Sequence, residues 1–146
     1  MTNTNLNHFV VILLTGSFLL FGCSQEYTSA SLNGKWQVTK MVADMPELKD
    51  LSPAIIKAGE ELALSTTYEF NADGSSIETS NYYPEGIPGK WTYNSDSMTL
   101  NLISTDEAIP SESYYTVAFH SKRKMTLLQN YQEMGSLKME LVRLKK

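Results

Sequence analysis

The 146-residue chain is 42% hydrophobic and 19% charged, a balance that belongs to one folded domain and excludes a disordered, highly charged segment. Its net charge of -4 excludes the clustered excess of Lys and Arg that nucleic-acid binding requires. One cysteine and two histidines leave no partner for an intramolecular disulfide and no ligand set for a zinc site of ordinary spacing.

The first element, Phe9 to Phe21 (FVVILLTGSFLLF), is an uncharged apolar run. At about 13 residues it fits the core of a signal peptide and falls short of the ~20 that span a bilayer as a helix. It ends in Leu20-Phe21-Gly22-Cys23, which resembles the lipobox of bacterial lipoproteins: a branched apolar residue three positions before Cys and a small residue directly before it. The resemblance implies a signal peptide over residues 1–22 and a diacylglyceryl group on the Cys23 thiol. Acyl chains such as palmitate then anchor the protein to the membrane, and two or three of them make the attachment effectively permanent. Ser24 stands where Asp would resemble an inner-membrane retention signal, so the same resemblance implies the outer membrane, with the face of that membrane left open. A plain secretory signal followed by a leftover cysteine is the alternative, but an exposed unpaired thiol is a liability in an oxidising compartment. Residues 23–31 are the lipidated Cys and a small, polar, aperiodic stretch that reads as a flexible tether.

Residues 32–146 form the expected domain. Trp36 and Val38 alternate with Lys35, Gln37 and Thr39, the signature of a strand with one apolar face. Next, Leu48, Leu51, Ile55, Ile56 and Leu62 recur at helical spacing. Ser52-Pro53 supplies an N-cap with Pro at the first helical position, and Lys57 with Glu61 an i,i+4 pair. A short helix is predicted here, its apolar stripe packed on the sheet because Gly59 costs it about 1 kcal/mol of intrinsic stability. Tyr68 and Phe70 resume the alternation, and Ile77 and Thr79 continue it. Trp91 and Tyr93 follow, then Met98, Leu100 and Leu102; Tyr115, Val117 and Phe119; Met125 and Leu127; and Leu137, Met139 and Leu141. The connections Asn71-Ala72-Asp73-Gly74, Asn94-Ser95-Asp96-Ser97 and Ser121 to Arg123 carry hairpin chemistry. Eight short antiparallel strands in one chain resolve their edges best by closing into an up-and-down barrel. A sandwich is the alternative.

Leu32-Asn33-Gly34-Lys35-Trp36 resembles the Gly-x-Trp opening of the lipocalins. With the helical insert, the strand and turn Tyr68 to Gly74, a second Gly89-Lys90-Trp91 and an apolar last strand, residues 32–146 resemble the lipocalin-like domains of small lipoproteins from Bacteroidetes-type bacteria. The fold expected on that resemblance is all-β: an up-and-down, antiparallel, eight-stranded lipocalin-like barrel with one short helix between strands 1 and 2. Gly34, Trp36 and Trp91 become its structural core, and Arg143 the candidate for the basic residue that lipocalins lay over the first-strand tryptophan. The two Gly-Lys-Trp triplets form a faint internal repeat, explained by two strands obeying one packing rule with Gly allowing close approach at the rim.

Complete catalytic constellations are missing from the sequence. His120 is the one imidazole downstream of Cys23 and reads as an exposed strand end, and no nucleophile elbow, phosphate loop or dinucleotide fingerprint occurs. Glu69, Glu78 and Glu85 could converge, with separate surface positions the default. No enzymatic activity, metal or cofactor is therefore expected. Aromatics are more informative. Tyr82-Tyr83-Pro84-Glu85-Gly86-Ile87-Pro88 is a proline-stiffened loop displaying two tyrosines and an isoleucine. With Tyr93 and Tyr115 on neighbouring strands, Tyr82, Tyr83 and Ile87 make a candidate site for a small, largely apolar ligand, shallow because the inward set is bulky. The alternative is a packed interior in an interaction module that contacts an envelope protein partner.

Overall fold

A computed structural model describes residues 26–145. Its strands are β1 (Gly34–Asp44), β2 (Thr67–Phe70), β3 (Ser75–Thr79), β4 (Ile87–Asn94), β5 (Thr99–Ser104), β6 (Glu112–Ser121), β7 (Lys124–Asn130) and β8 (Ser136–Arg143), with helix α1 (Pro53–Ser65) between β1 and β2. Each strand pairs antiparallel with the next and β8 returns to β1, so the sheet closes into an eight-stranded up-and-down barrel. Closure pairs every strand on both sides over at least part of its length, as the alternation and short turns require. The strand pairs and the core are complete within residues 32–143. The expected signal peptide and Cys23 lie outside the described residues.

The strand order sorts the connections to two ends. The turns β2–β3, β4–β5 and β6–β7 gather with both chain ends at one of them; the longer connections β1–β2, β3–β4, β5–β6 and β7–β8 surround the other, the mouth. The turn end is packed solid. Leu32, Trp36, Phe70, Leu100, Met125, Leu127 and Leu141 are all buried there and along the axis, with Val38, Val117 and Met139. The Trp36 indole N–H donates to the Leu32 carbonyl at 2.7 Å and the Trp91 indole N–H to the Asn71 carbonyl at 3.0 Å. Each large apolar ring thus keeps its one polar atom satisfied. Residues 27–31, expected as tether, belong to this packing: Tyr27 stacks on Phe119 with centroids 4.3 Å apart, and Ser29–Ser31 forms a 3-10 turn.

Two sequence expectations are corrected. The helix forms where its spacing predicts: the Ser52 hydroxyl accepts from the Ile55 N–H and Lys57 lies 3.7 Å from Glu61. Its stripe packs on the sheet only in part, however: α1 lies against β1 with Leu62 and Ala63 half-buried, but Ile55, Ile56 and Leu64 are exposed and none of its residues is fully buried. β1 pairs with β2 only over Gly34–Gln37 but with β8 out to Asp44. The far half of β1 therefore has one strand neighbour, and the β1–β2 connection stands beside its vacant edge. Only its C-terminal end is fastened there: Val38 N–H donates to the Thr66 carbonyl at 3.1 Å, and the Gln37 amide to the Leu64 and Thr66 carbonyls at 2.6 and 3.0 Å. The two Gly-Lys-Trp triplets, in turn, do different jobs because β1 and β4 run in opposite directions. Gly34 is needed for its φ of +121° with open space around it, whereas a Cβ on Gly89, near the mouth, would lie 2.7 Å from the Ile103 carbonyl oxygen.

Candidate functional site

Above the packed core, the mouth end holds a cavity of about 230 Å³. Cross-strand register builds its wall. Tyr68 pairs with Glu78 and Phe70 with Ser76, so the inward face of β2 carries β3 residues Glu78 and Ser76 inward with it. Glu78 pairs in turn with Ile87, and Ser76 with Gly89. On the far side Leu102 pairs with Ser113 and Leu100 with Tyr115. The wall thus alternates apolar side chains with hydroxyls around one carboxylate, while Tyr83 and Ile109 close over it from the loops.

The electrostatics follow from burial. Burial pushes the Glu78 carboxyl above the usual glutamate range. The Tyr68 hydroxyl is pushed up well beyond an ordinary tyrosine, first by burial and then by the neighbouring Tyr115 and Glu78. Tyr115 is pushed up chiefly by burial as well. All three face one another at the inner end of the cavity, so the tyrosines stay neutral and can donate or accept hydrogen bonds.

The opposite end carries a different pair. The Arg143 guanidinium lies 4.6 Å from the centroid of the Trp36 ring, and the two residues are direct partners across β1 and β8. Arg143 also donates to the Ser31 carbonyl, tying the incoming chain to the barrel floor. A family model described as a lipocalin-like domain matches residues 32–127. The chain belongs to this family. Among solved structures it is similar to a DUF4847 family protein from Bacteroides vulgatus, with a TM-score of 0.51 and 15% identity over 79% of this chain and 95% of that one, a likeness of fold alone. No curated protein matches it. In this lipocalin-like domain the basic residue lies over the first-strand tryptophan as the resemblance implies, and the helix stands in the β1–β2 connection.

Of the candidate ligand residues, the structure brings Tyr83, Ile87 and Tyr115 together on the cavity. Tyr82 points away and is 71% exposed. Tyr93 lies near the other end of β4, edge-on to Phe119 at 6.3 Å, its hydroxyl buried among the described residues without a hydrogen-bond partner. Gly34, Trp36 and Trp91 sit at the positions just given. Glu69, Glu78 and Glu85 do not converge: Glu69 faces outward between Lys35 and Ile77, and Glu85 is on the exposed loop. His120 is exposed at a bulge in β6, its ring 2.7 Å from the Thr126 hydroxyl.

Sequence reasoning named Glu78 only among three carboxylates that could converge and missed it as an inward, cavity-lining residue. Alternation along Ser75-Ser76-Ile77-Glu78-Thr79 grouped Ile77 with the apolar positions, yet Ile77 is 39% exposed and turned outward. The signal that finds it is the turn. With Asn71 to Gly74 as the loop, Phe70 falls opposite Ser76 and Tyr68 opposite Glu78.

Proposed function

We propose that this protein is a membrane-anchored lipoprotein whose lipocalin-like barrel binds a small ligand, largely apolar, without catalysing a reaction on it. The observation that carries the binding half is the cavity at the mouth, a concave site whose wall alternates apolar side chains with hydroxyls around one carboxylate, standing on a packed floor. Anchoring rests on the Cys23 sequence pattern. Titrating the chain from residue 24 onward with an environment-sensitive apolar dye, while following tryptophan emission, tests the site. Saturable one-to-one binding should weaken about tenfold in Tyr83→Ala and stay unchanged in Tyr82→Ala, because only Tyr83 lines the cavity.

A second reading, an interaction module of an envelope assembly, has one observation in its favour. Between the overhang of β1 and α1 runs an open groove of about 600 Å³, where Val42, Leu51, Ile55 and Ile56 are exposed. No saturable dye binding, with cooperative unfolding intact, would leave this second reading as the better account.

A further inference from the structure

The mouth cavity contains a carboxylate and no compensating cation. Among the described residues lining it there is no Lys, Arg or His, and the ion pairs formed elsewhere, Lys40–Glu140 and Lys57–Glu61, involve none of its lining. Glu78 is held there by strand pairing on both sides, to Tyr68 of β2 and Ile87 of β4. The groups that face it are the Tyr68 and Tyr115 hydroxyls, and behind those two tyrosines stands Tyr131 from the β7–β8 connection. A carboxylate turned into a low-dielectric recess is costly unless something pairs with it.

The rim repeats the sign of the interior. Three of the four mouth connections, residues 80–86, 105–111 and 131–135, carry Glu85, Asp106, Glu107 and Glu133 and no Lys, Arg or His, and the fourth, residues 45–66, carries Glu47, Asp50, Glu60 and Glu61 against Lys49 and Lys57. A cluster of cations stands at the other end: Lys122 and Arg123 in the β6–β7 turn, with Lys35, Arg143 and Lys145 around the groove beside them. A barrel polarised in this way draws cations toward its mouth and repels anions from it.

We propose that the mouth is a cation-selective site for small amphiphilic amines. The ammonium group seats against the Glu78 carboxylate and the Tyr68 and Tyr115 hydroxyls, and a short apolar body lies along Ile87, Leu102 and Tyr83. This names the ligand class for the binding site proposed above and rests on that reading. Charge-assisted hydrogen bonds to the ammonium supply the missing counter-charge. A neutral isostere leaves Glu78 unpaired, and an anionic one meets like charge inside and at the rim. Size agrees: at ~30 Å³ per water, the cavity holds about eight non-hydrogen atoms.

The test uses three probes of one shape, hexylamine, hexanol and hexanoate, titrated by calorimetry into the chain from residue 24 onward near neutral pH. Hexylamine should bind at least tenfold more tightly than hexanol, and hexanoate most weakly. The preference should shrink as pH is lowered through the titration of Glu78, because the protonated carboxyl no longer pairs with an ammonium. Glu78→Gln should erase it, by weakening hexylamine and relieving the penalty on hexanol, while leaving tryptophan emission in place. Hexanol or hexanoate matching hexylamine on the unmodified chain overturns the inference whatever the variant does, and so does a Glu78→Gln protein that keeps the amine preference. Saturable dye binding sensitive to Tyr83→Ala without an amine preference would remove the cation selectivity alone. Failure of both dye and amine would remove the binding site as well.

Discussion

At the scale of single residues, Trp36 joins the two halves of the floor. It is fully buried, hydrogen-bonded to Leu32 through its indole and covered by Arg143, so truncating it removes packing, a satisfied donor and the seat of a cation together. Trp36→Ala should cost roughly 3 to 5 kcal/mol, out of a total of about 5 to 15, read as a drop in the denaturant midpoint. A midpoint that hardly moves would contradict its place in the core. This residue was legible in the sequence because a large aromatic in a strongly alternating strand has few other places to go. Glu78 was not, because a strand with a single apolar residue gives alternation almost nothing to act on, and its direction is imposed from outside by pairing with Tyr68.

Among the elements, the strands were legible and the helix only half so. Periodicity and capping fix that a helix forms between β1 and β2, but not what it leans on; that depends on how far β1 outruns β2, a property of barrel stagger absent from local pattern. Glycines separate the two situations experimentally. Around Gly59, in the exposed helix, a Cβ would meet nothing within 4 Å, so Gly59→Ala should stabilise the domain by about 0.5 to 1 kcal/mol. Gly89→Ala should do the reverse, since its Cβ would press on the Ile103 carbonyl at 2.7 Å and the Ser76 hydroxyl at 2.9 Å, in the cavity wall. Equal midpoints for the two variants in a denaturant titration would show that the wall at Gly89 yields more readily than its backbone contacts imply.

On the scale of the whole molecule, the chain enters the barrel at the packed end, where Tyr27 and Ser29–Ser31 are docked, and the mouth opens at the other. With Cys23 as the anchor, Cys23→Ser should shift the protein from the membrane fraction to the soluble fraction and abolish incorporation of labelled palmitate, because acyl chains supply most of the attachment. A variant that stays with the membranes at high salt and carries no acyl label would make the cysteine incidental. The solid floor has a kinetic consequence. A cavity with one entrance cannot be flushed from behind, so a bound molecule must leave before its successor arrives. Release is then a first-order step that no excess of competitor accelerates, and its rate belongs to the contacts inside the recess. Cargo held in such a recess passes onward only by dilution or by a receiving surface brought up to the rim.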